Sequence, residues 1–250
     1  MSHPHASITP ERFDAALFDL DGVLTSTAKI HASCWKSMFD DFLQRRAKTT
    51  HAAFRPFEIG TDYKAYVDGM PRYDGVRSFL ASRDIQLPEG DPHDPPGGET
   101  VCGLGNRKDE LVKEAIRGGA VEAYPGSIVL VRALRARGVR TAVVSASNNC
   151  AEVLRAAGIL DLFDTRVDGL VATALRLPGK PAPDTFLEAA RRLGTTPPRA
   201  VVVEDALAGV QAGRAGGFGL VIGVDREGGG EALRNHGADV VVSDLLELLD

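Results

Sequence analysis

An α/β fold is predicted for this 250-residue chain: a parallel sheet covered by helices on both faces and interrupted once, after its first strand, by a helical insert. Three observations lead there. Short apolar runs alternate with helical stretches along most of the chain, which is the pattern of strand–helix–strand crossovers. The segment 27–120 departs from that alternation and reads as mostly helical. Three of the apolar runs end in acid or hydroxyl residues, at the carboxyl ends of strands where ligands of open α/β sheets bind.

The elements follow in order. The leader carries His3 and His5 in a stretch with no apolar core, so no signal peptide is expected there and its histidines are expected to be solvated. Ala15–Asp19 (AALFD) is a short apolar run ending in acid and reads as a buried strand meeting a polar site. In the insert, Ile30, Cys34, Met38 and Phe42 recur every four residues beside Trp35 and Phe39, the stripe of a helix with a packed face. Asp91–Gly98 (DPHDPPGG) is a breaker-rich loop, and a further helix is expected over Arg107–Arg117. Gly118–Gly126 returns the chain to the sheet. Strands are then expected at Arg140–Ser145, Ala200–Asp205, Gly219–Val224 and Ala238–Val242. Helices are expected at Ser127–Arg137, Cys150–Ala157, Pro183–Leu193 and Ala206–Arg214. No repeat or low-complexity tract is present.

Composition narrows the function classes. Lys plus Arg is 29 and Asp plus Glu is 34, a net charge of −5 that argues against nucleic acid as a partner. Cys34, Cys102 and Cys150 are odd in number and far apart, without a CxxC pair, which fits a reducing cytoplasm rather than a disulfide framework or a zinc site. No apolar run approaches membrane-spanning length, so no membrane partner is expected.

Four motifs carry chemistry. In Asp19-Leu20-Asp21-Gly22-Val23, two carboxylates two residues apart leave a strand end on one side, and Gly22 permits a sharp turn. One carboxylate can attack phosphorus, and the other can serve as general acid and base. Alone, the motif is equally well a strand followed by an acidic turn. Ser145-Ala146-Ser147-Asn148-Asn149 offers a hydroxyl and backbone N–H groups suited to a phosphate oxygen, although a plain helix cap reads the same. In Gly179-Lys180-Pro181-Ala182-Pro183-Asp184, prolines stiffen the chain around one ammonium. Glu204-Asp205 ends a buried run, where acids need compensating charge. If Asp19, Asp21, Glu204 and Asp205 converge with Lys180, the net of −3 calls for a divalent ion, and oxygen ligands beside phosphate favour Mg²⁺.

In this order and spacing the motifs resemble the haloacid dehalogenase superfamily. The resemblance implies a Rossmann-like core over residues 1–26 and 121–250, and a helical cap domain over 27–120 inserted after the first strand. It also implies Mg²⁺ and an aspartyl-phosphate: Asp19 as nucleophile, Asp21 as acid/base, and Ser145 and Lys180 holding the phosphoryl group. Asp19, Asp205, Glu204 and the backbone carbonyl of Asp21 would be the metal ligands. The opening FDLDGVLTSTAKIHASCWK, with SASNN and KPAPDTF, is similar to the β-phosphoglucomutase branch.

That branch resemblance implies that Thr27 and His31 act near the acid/base aspartate when the cap closes. Trp35 shares their helix face at four-residue spacing and joins the substrate-binding candidates, packing being its plainer role. Arg72 would grip the substrate's far phosphate, Lys108 would lie near the sugar, and Ala146 and Asn149 near the substrate. The sequence departs from the branch at Asp68 and Asn148, where lysine is expected, and in an insert between Asp84 and Gly105 longer than a short cap needs. The expected activity is a phosphomutase converting β-glucose 1-phosphate to glucose 6-phosphate, with a phosphatase of small phosphomonoesters as the alternative. A silent sugar-phosphate sensor fits poorly with both Asp19 and Asp21 in place. The partner is a small sugar phosphate, and the chain is expected to be a monomer or weak homo-oligomer.

Overall fold

The structure, a computed structural model, describes residues 7–51, 53–226 and 228–249, and His3 and His5 lie outside them. In chain order, strand β1 (Ala15–Phe18) is followed by helices α1 (Ala28–Thr50), α2 (Arg72–Ser82), α3 (Val101–Arg117) and α4 (Pro125–Ala136). Then come β2 (Arg140–Val144), α5 (Cys150–Ala156), β3 (Thr165–Val167), α6 (Gly169–Leu175) and α7 (Asp184–Arg192). The chain ends through β4 (Ala200–Glu204), α8 (Leu207–Ala215), β5 (Leu220–Val224), α9 (Gly230–Asn235) and β6 (Val240–Val242). It divides into two compact units, 1–27 with 121–250, and 28–120.

The first unit is built on a six-stranded sheet in the order β3-β2-β1-β4-β5-β6. All its pairings are parallel. The α/β fold expected from the alternating pattern is the fold found. β1 lies at the centre because AALF is apolar on both faces: Ala15, Ala16, Leu17 and Phe18 are all fully buried. Ala15, Leu17, Ala142, Val144, Ala200 and Val202 share one core with Phe186, Ala189 and Ala190 of α7 and Val210 and Ala212 of α8. Register then aligns the functional ends. Phe18 pairs with Val143 on one side and Val203 on the other, so the next residues out are Asp19, Val144 and Glu204.

The second unit is helical around an aromatic core. Phe39 packs against Trp35 at 5.3 Å, Phe57 at 5.2 Å and Phe79 at 4.1 Å between ring centroids. Cys34, Met38 and Phe42 of the predicted stripe are buried, while Ile30 is only partly so. Gly75 of α2 leaves room for Trp35, whose ring would lie 3.2 Å from a Cβ there.

Two features differ from expectation. Helix α3 begins at Val101 rather than Arg107, because the Thr100 hydroxyl caps it by accepting the Gly103 N–H at 2.9 Å. Gly103 and Gly105 had hidden that start, glycine being a poor helix former. Strand β3 and helix α6 were not expected at all. β3 is three residues at the sheet edge with no continuous apolar run. The three cysteines are free and buried. Among the described residues, no helix is long and apolar enough to cross a membrane.

Candidate active site

Asp19 follows directly from β1, and its own backbone N–H bonds to the Val203 carbonyl at 2.9 Å. Its two carboxylate oxygens have different duties: Oδ2 accepts the Asp21 N–H at 2.8 Å, and Oδ1 accepts from Lys180. The Lys180 ammonium also donates to Glu204 and to the Val144 carbonyl at 3.2 Å, and it lies 5.0 Å above the Phe186 ring. The ends of β1, β2 and β4 thus meet on one ammonium that is itself buried. Glu204 places its other oxygen on the Ala206 N–H at 3.0 Å.

Burial dominates the electrostatics. It pushes Asp19 up to about 6, against the pull of Lys180, and Glu204 up to about 7 for the same reason. Burial alone would lower Lys180, but Asp19 and Glu204 outweigh it and raise it above its ordinary value. The site therefore holds more carboxylate than its one ammonium balances.

A cation would relieve that excess, and the geometry suits one. Asp19, Glu204 and Asp205 offer oxygens that all lie within 4.8 Å of one another. The turn after the strand is shaped around Asp205. A Cβ on Gly22, whose φ is +89°, would sit 1.7 Å from Asp205 Oδ2, so no side chain fits at that position. Gly209 serves Glu204 similarly: a Cβ there would come within 1.8 Å of Glu204 Oε1. Hard oxygen donors in a largely buried, negatively charged cluster match Mg²⁺.

Asp21 takes its own course. Its carboxylate accepts from the Thr27 hydroxyl, and Thr27 shares a 2.7 Å hydrogen bond with Thr25, which also reaches the Leu20 carbonyl at 3.2 Å. Thr25 was not singled out from the sequence, since a threonine two residues before Thr27 reads as ordinary turn composition. On the β2 side, Ser145 is buried and its hydroxyl accepts the Ser147 N–H at 3.1 Å. Ser147 in turn accepts the Asn149 N–H at 3.1 Å. Asn149 is buried and Ala146 is partly exposed.

The remaining candidates belong to the helical unit. His31 Nδ1 lies 2.8 Å from Lys108 Nζ, and Lys108 also stands 5.0 Å from the Trp35 ring centre, all three being buried. Burial and the neighbouring Lys108 ammonium hold His31 well below its ordinary value. It is therefore neutral, with Nδ1 accepting and the proton on Nε2. Arg72 is half-buried. Nη1 pairs with Asp109 at 3.1 Å, Nη2 reaches Tyr73 Oη at 2.9 Å and Asn106 Oδ1 at 3.2 Å, and the guanidinium lies 4.8 Å from the Tyr73 ring centre. Asp109 had no sequence signal beyond its place in the helix expected over Arg107–Arg117, and Asn106 fell just before that helix.

Parallel strands that deliver a buried carboxylate, a bridging lysine and an acidic cluster to their carboxyl ends form a site suited to carboxylate-based phosphoryl transfer. The family model for haloacid dehalogenase-like hydrolases matches residues 13–217. A β-phosphoglucomutase from Mycobacterium bovis is 51% identical over 243 residues, covering 96% of this chain and 93% of that protein. A β-phosphoglucomutase from Bacillus subtilis is 30% identical over 247 residues, covering 94% and 93%. A β-phosphoglucomutase structure from Clostridium difficile shares the fold with a TM-score of 0.73 at 24% identity, covering 94% and 93% of the two chains. The chain belongs to the haloacid dehalogenase superfamily, and it is an enzyme.

Proposed function

We propose that the chain is a Mg²⁺-dependent phosphomutase that converts β-glucose 1-phosphate to glucose 6-phosphate through a phosphoryl group carried on Asp19. The observation that carries the chemistry is the buried Asp19–Lys180–Glu204 arrangement at the ends of three adjacent strands. The 51% identical β-phosphoglucomutase of M. bovis supports the choice of substrate.

In the first half-reaction an Asp19 oxygen attacks phosphorus, the bond to the departing sugar oxygen breaks, and Asp21 gives that oxygen its proton. In the second, a sugar hydroxyl attacks the aspartyl-phosphate, Asp21 takes the hydroxyl proton, and the Asp19–phosphorus bond breaks. Asp21 is suited to both halves because its carboxylate is held by Thr27 rather than by Lys180. Ser145 and Lys180 hold the phosphoryl oxygens. Asp19, Asp205, Glu204 and the Asp21 carbonyl would hold Mg²⁺, which when bound neutralises charge on the phosphoryl oxygens. Arg72 binds the second phosphate of the bisphosphate intermediate, as a planar guanidinium does well. His31, Trp35, Lys108, Ala146 and Asn149 complete the substrate contacts.

A second reading, hydrolysis with water as the acceptor, draws support from the hydrolase description of the family. One assay separates the two. The purified protein is given β-glucose 1-phosphate, Mg²⁺ and a trace of β-glucose 1,6-bisphosphate, and both products are followed. Glucose 6-phosphate is expected to exceed free phosphate by about a hundredfold, a difference of about 3 kcal/mol in transition-state binding. Phosphate release matching or exceeding glucose 6-phosphate overturns the mutase in favour of the phosphatase.

A further inference from the structure

Resting on that reading of Arg72, we propose that the long insert between α2 and α3 is a positioning device that sets the guanidinium of Arg72 through Asn106. Residues 83–100 form no helix or strand, yet they are tied down at many points. The Val101 and Cys102 N–H groups bond to the Pro88 and Glu89 carbonyls at 3.0 Å each, and the Gly97 N–H bonds to the Gly103 carbonyl at 2.9 Å. The Asp94 carboxylate accepts from the Thr100 hydroxyl at 2.6 Å and the Asp91 N–H at 3.1 Å. Gly103 is required by this seat, since a Cβ there would lie 2.5 Å from the Gly98 carbonyl oxygen.

Two further bonds to this loop come from one side chain. Asn106 Nδ2 donates to the Pro92 carbonyl at 3.0 Å and the Asp94 carbonyl at 2.9 Å. With both its N–H bonds spent on the loop, the amide must present its oxygen the other way. That oxygen accepts from Tyr73 Oη at 2.8 Å and Arg72 Nη2 at 3.2 Å. Gly105 allows the approach, because a Cβ there would lie 2.6 Å from the Tyr73 ring.

Arg72 is thus gripped at Nη2 by Asn106 and Tyr73 and at Nη1 by Asp109, with the Nε–H outside these contacts. A long arginine side chain ordinarily gives up rotamer freedom when it binds an anion, and a guanidinium already held gives up less. Asn106 is accordingly a positioning residue for Arg72, and the insert is what fixes Asn106.

The experiment is a double-mutant cycle on the full chain. Arg72→Ala, Asn106→Ala and the double variant are assayed for mutase flux with β-glucose 1,6-bisphosphate as primer, and separately for acetyl phosphate hydrolysis. Asn106→Ala is expected to raise the KM for the bisphosphate about tenfold, the size of one hydrogen bond to a charged group, with kcat nearly unchanged. It should cost acetyl phosphate hydrolysis less than about threefold, which also reports that the protein is folded. In the Arg72→Ala background, Asn106→Ala should add almost nothing. Tyr73→Phe, which keeps the ring but loses the hydroxyl, should give a smaller KM rise of the same kind. If Arg72→Ala itself depresses both activities equally, the second-phosphate reading fails and takes this inference with it. If Arg72→Ala is selective for the mutase but Asn106→Ala is additive with it, or lowers both activities alike, only the positioning role is overturned. Misfolding of Asn106→Ala leaves Tyr73→Phe to decide: no rise in its bisphosphate KM overturns the proposal.

Discussion

Asp19 and Asp21 stand two positions apart on one short stretch of chain, yet their surroundings are unlike. Asp19 is buried against Lys180, and burial raises it to about 6. Asp21 is only partly buried and faces a hydroxyl pair. In the proposed mechanism the fixed carboxylate is the nucleophile and the one held by the hydroxyl pair is the acid and base. The burial of Asp19 also predicts how it tolerates a neutral replacement. Asp19→Asn keeps the shape, and burial already disfavours the charge it removes, while Lys180 keeps Glu204 as an ionic partner. The variant is expected to fold, with a melting temperature within a few degrees of the parent. Turnover should fall by a factor on the order of 10⁴ or more, because an amide cannot serve as the nucleophile. Circular dichroism melting and a coupled glucose 6-phosphate assay check both halves, and retained turnover would remove Asp19 from its role. The DxDG and GKPAPD motifs made these two acids and Lys180 legible in the sequence. Thr25 was not legible, because its role comes from a hydroxyl contact that composition does not signal.

Helix α7 shows how an element supports the site from behind. It begins a few residues after Lys180, and its Phe186 forms part of the sheet core as well as the floor beneath the ammonium. Its solvent face is secured by Glu188, which accepts from Arg191 and Arg192 at 2.7–2.8 Å. Hydrogen bonds from those two arginines pull Glu188 down to about 2 from its ordinary 4.5. A carboxylate lowered on folding binds fewer protons in the native state, so its contribution is present above about 4.5 and fades as pH falls toward 2. Glu188→Gln should therefore cost about 0.5–1 kcal/mol at neutral pH, as two helix-spaced surface pairs do. The gap from the parent should close progressively below pH 4.5, and urea unfolding at pH 7 and pH 3.5 measures it. A gap that stays constant or widens on acidification contradicts the pairing. Elements with strong patterns, such as α1 with its apolar stripe, were legible from sequence. β3, three residues at an edge formed by pairing with β2, and the start of α3, capped by Thr100 but masked by two glycines, were not.

At the scale of the molecule, the acidic cluster is an electrostatic liability that a bound ion should turn into stability. Asp19, Glu204 and Asp205 with Lys180 make three carboxylates against one ammonium, an excess of two negative charges if all are ionised. A buried excess of that kind weakens the native state, and the raised positions of Asp19 and Glu204 express the same cost. The sheet unit supplies every residue of this cluster and the helical unit none. A ligand that binds the folded state alone adds about 2.7 kcal/mol at a hundredfold excess over its Kd. For a chain of 250 residues that corresponds to a rise of about 5–10 °C in melting temperature. Calorimetry with Mg²⁺ against EDTA should show a rise of this order in the parent. Asp205→Asn, which removes the carboxylate lodged against Gly22, should lose most of it. Asn106→Ala, which changes only the helical unit, should keep it in full. A shift in Asp205→Asn equal to the parent's would mean that Mg²⁺ binds elsewhere, and no shift in the parent would remove the metal from the proposed chemistry.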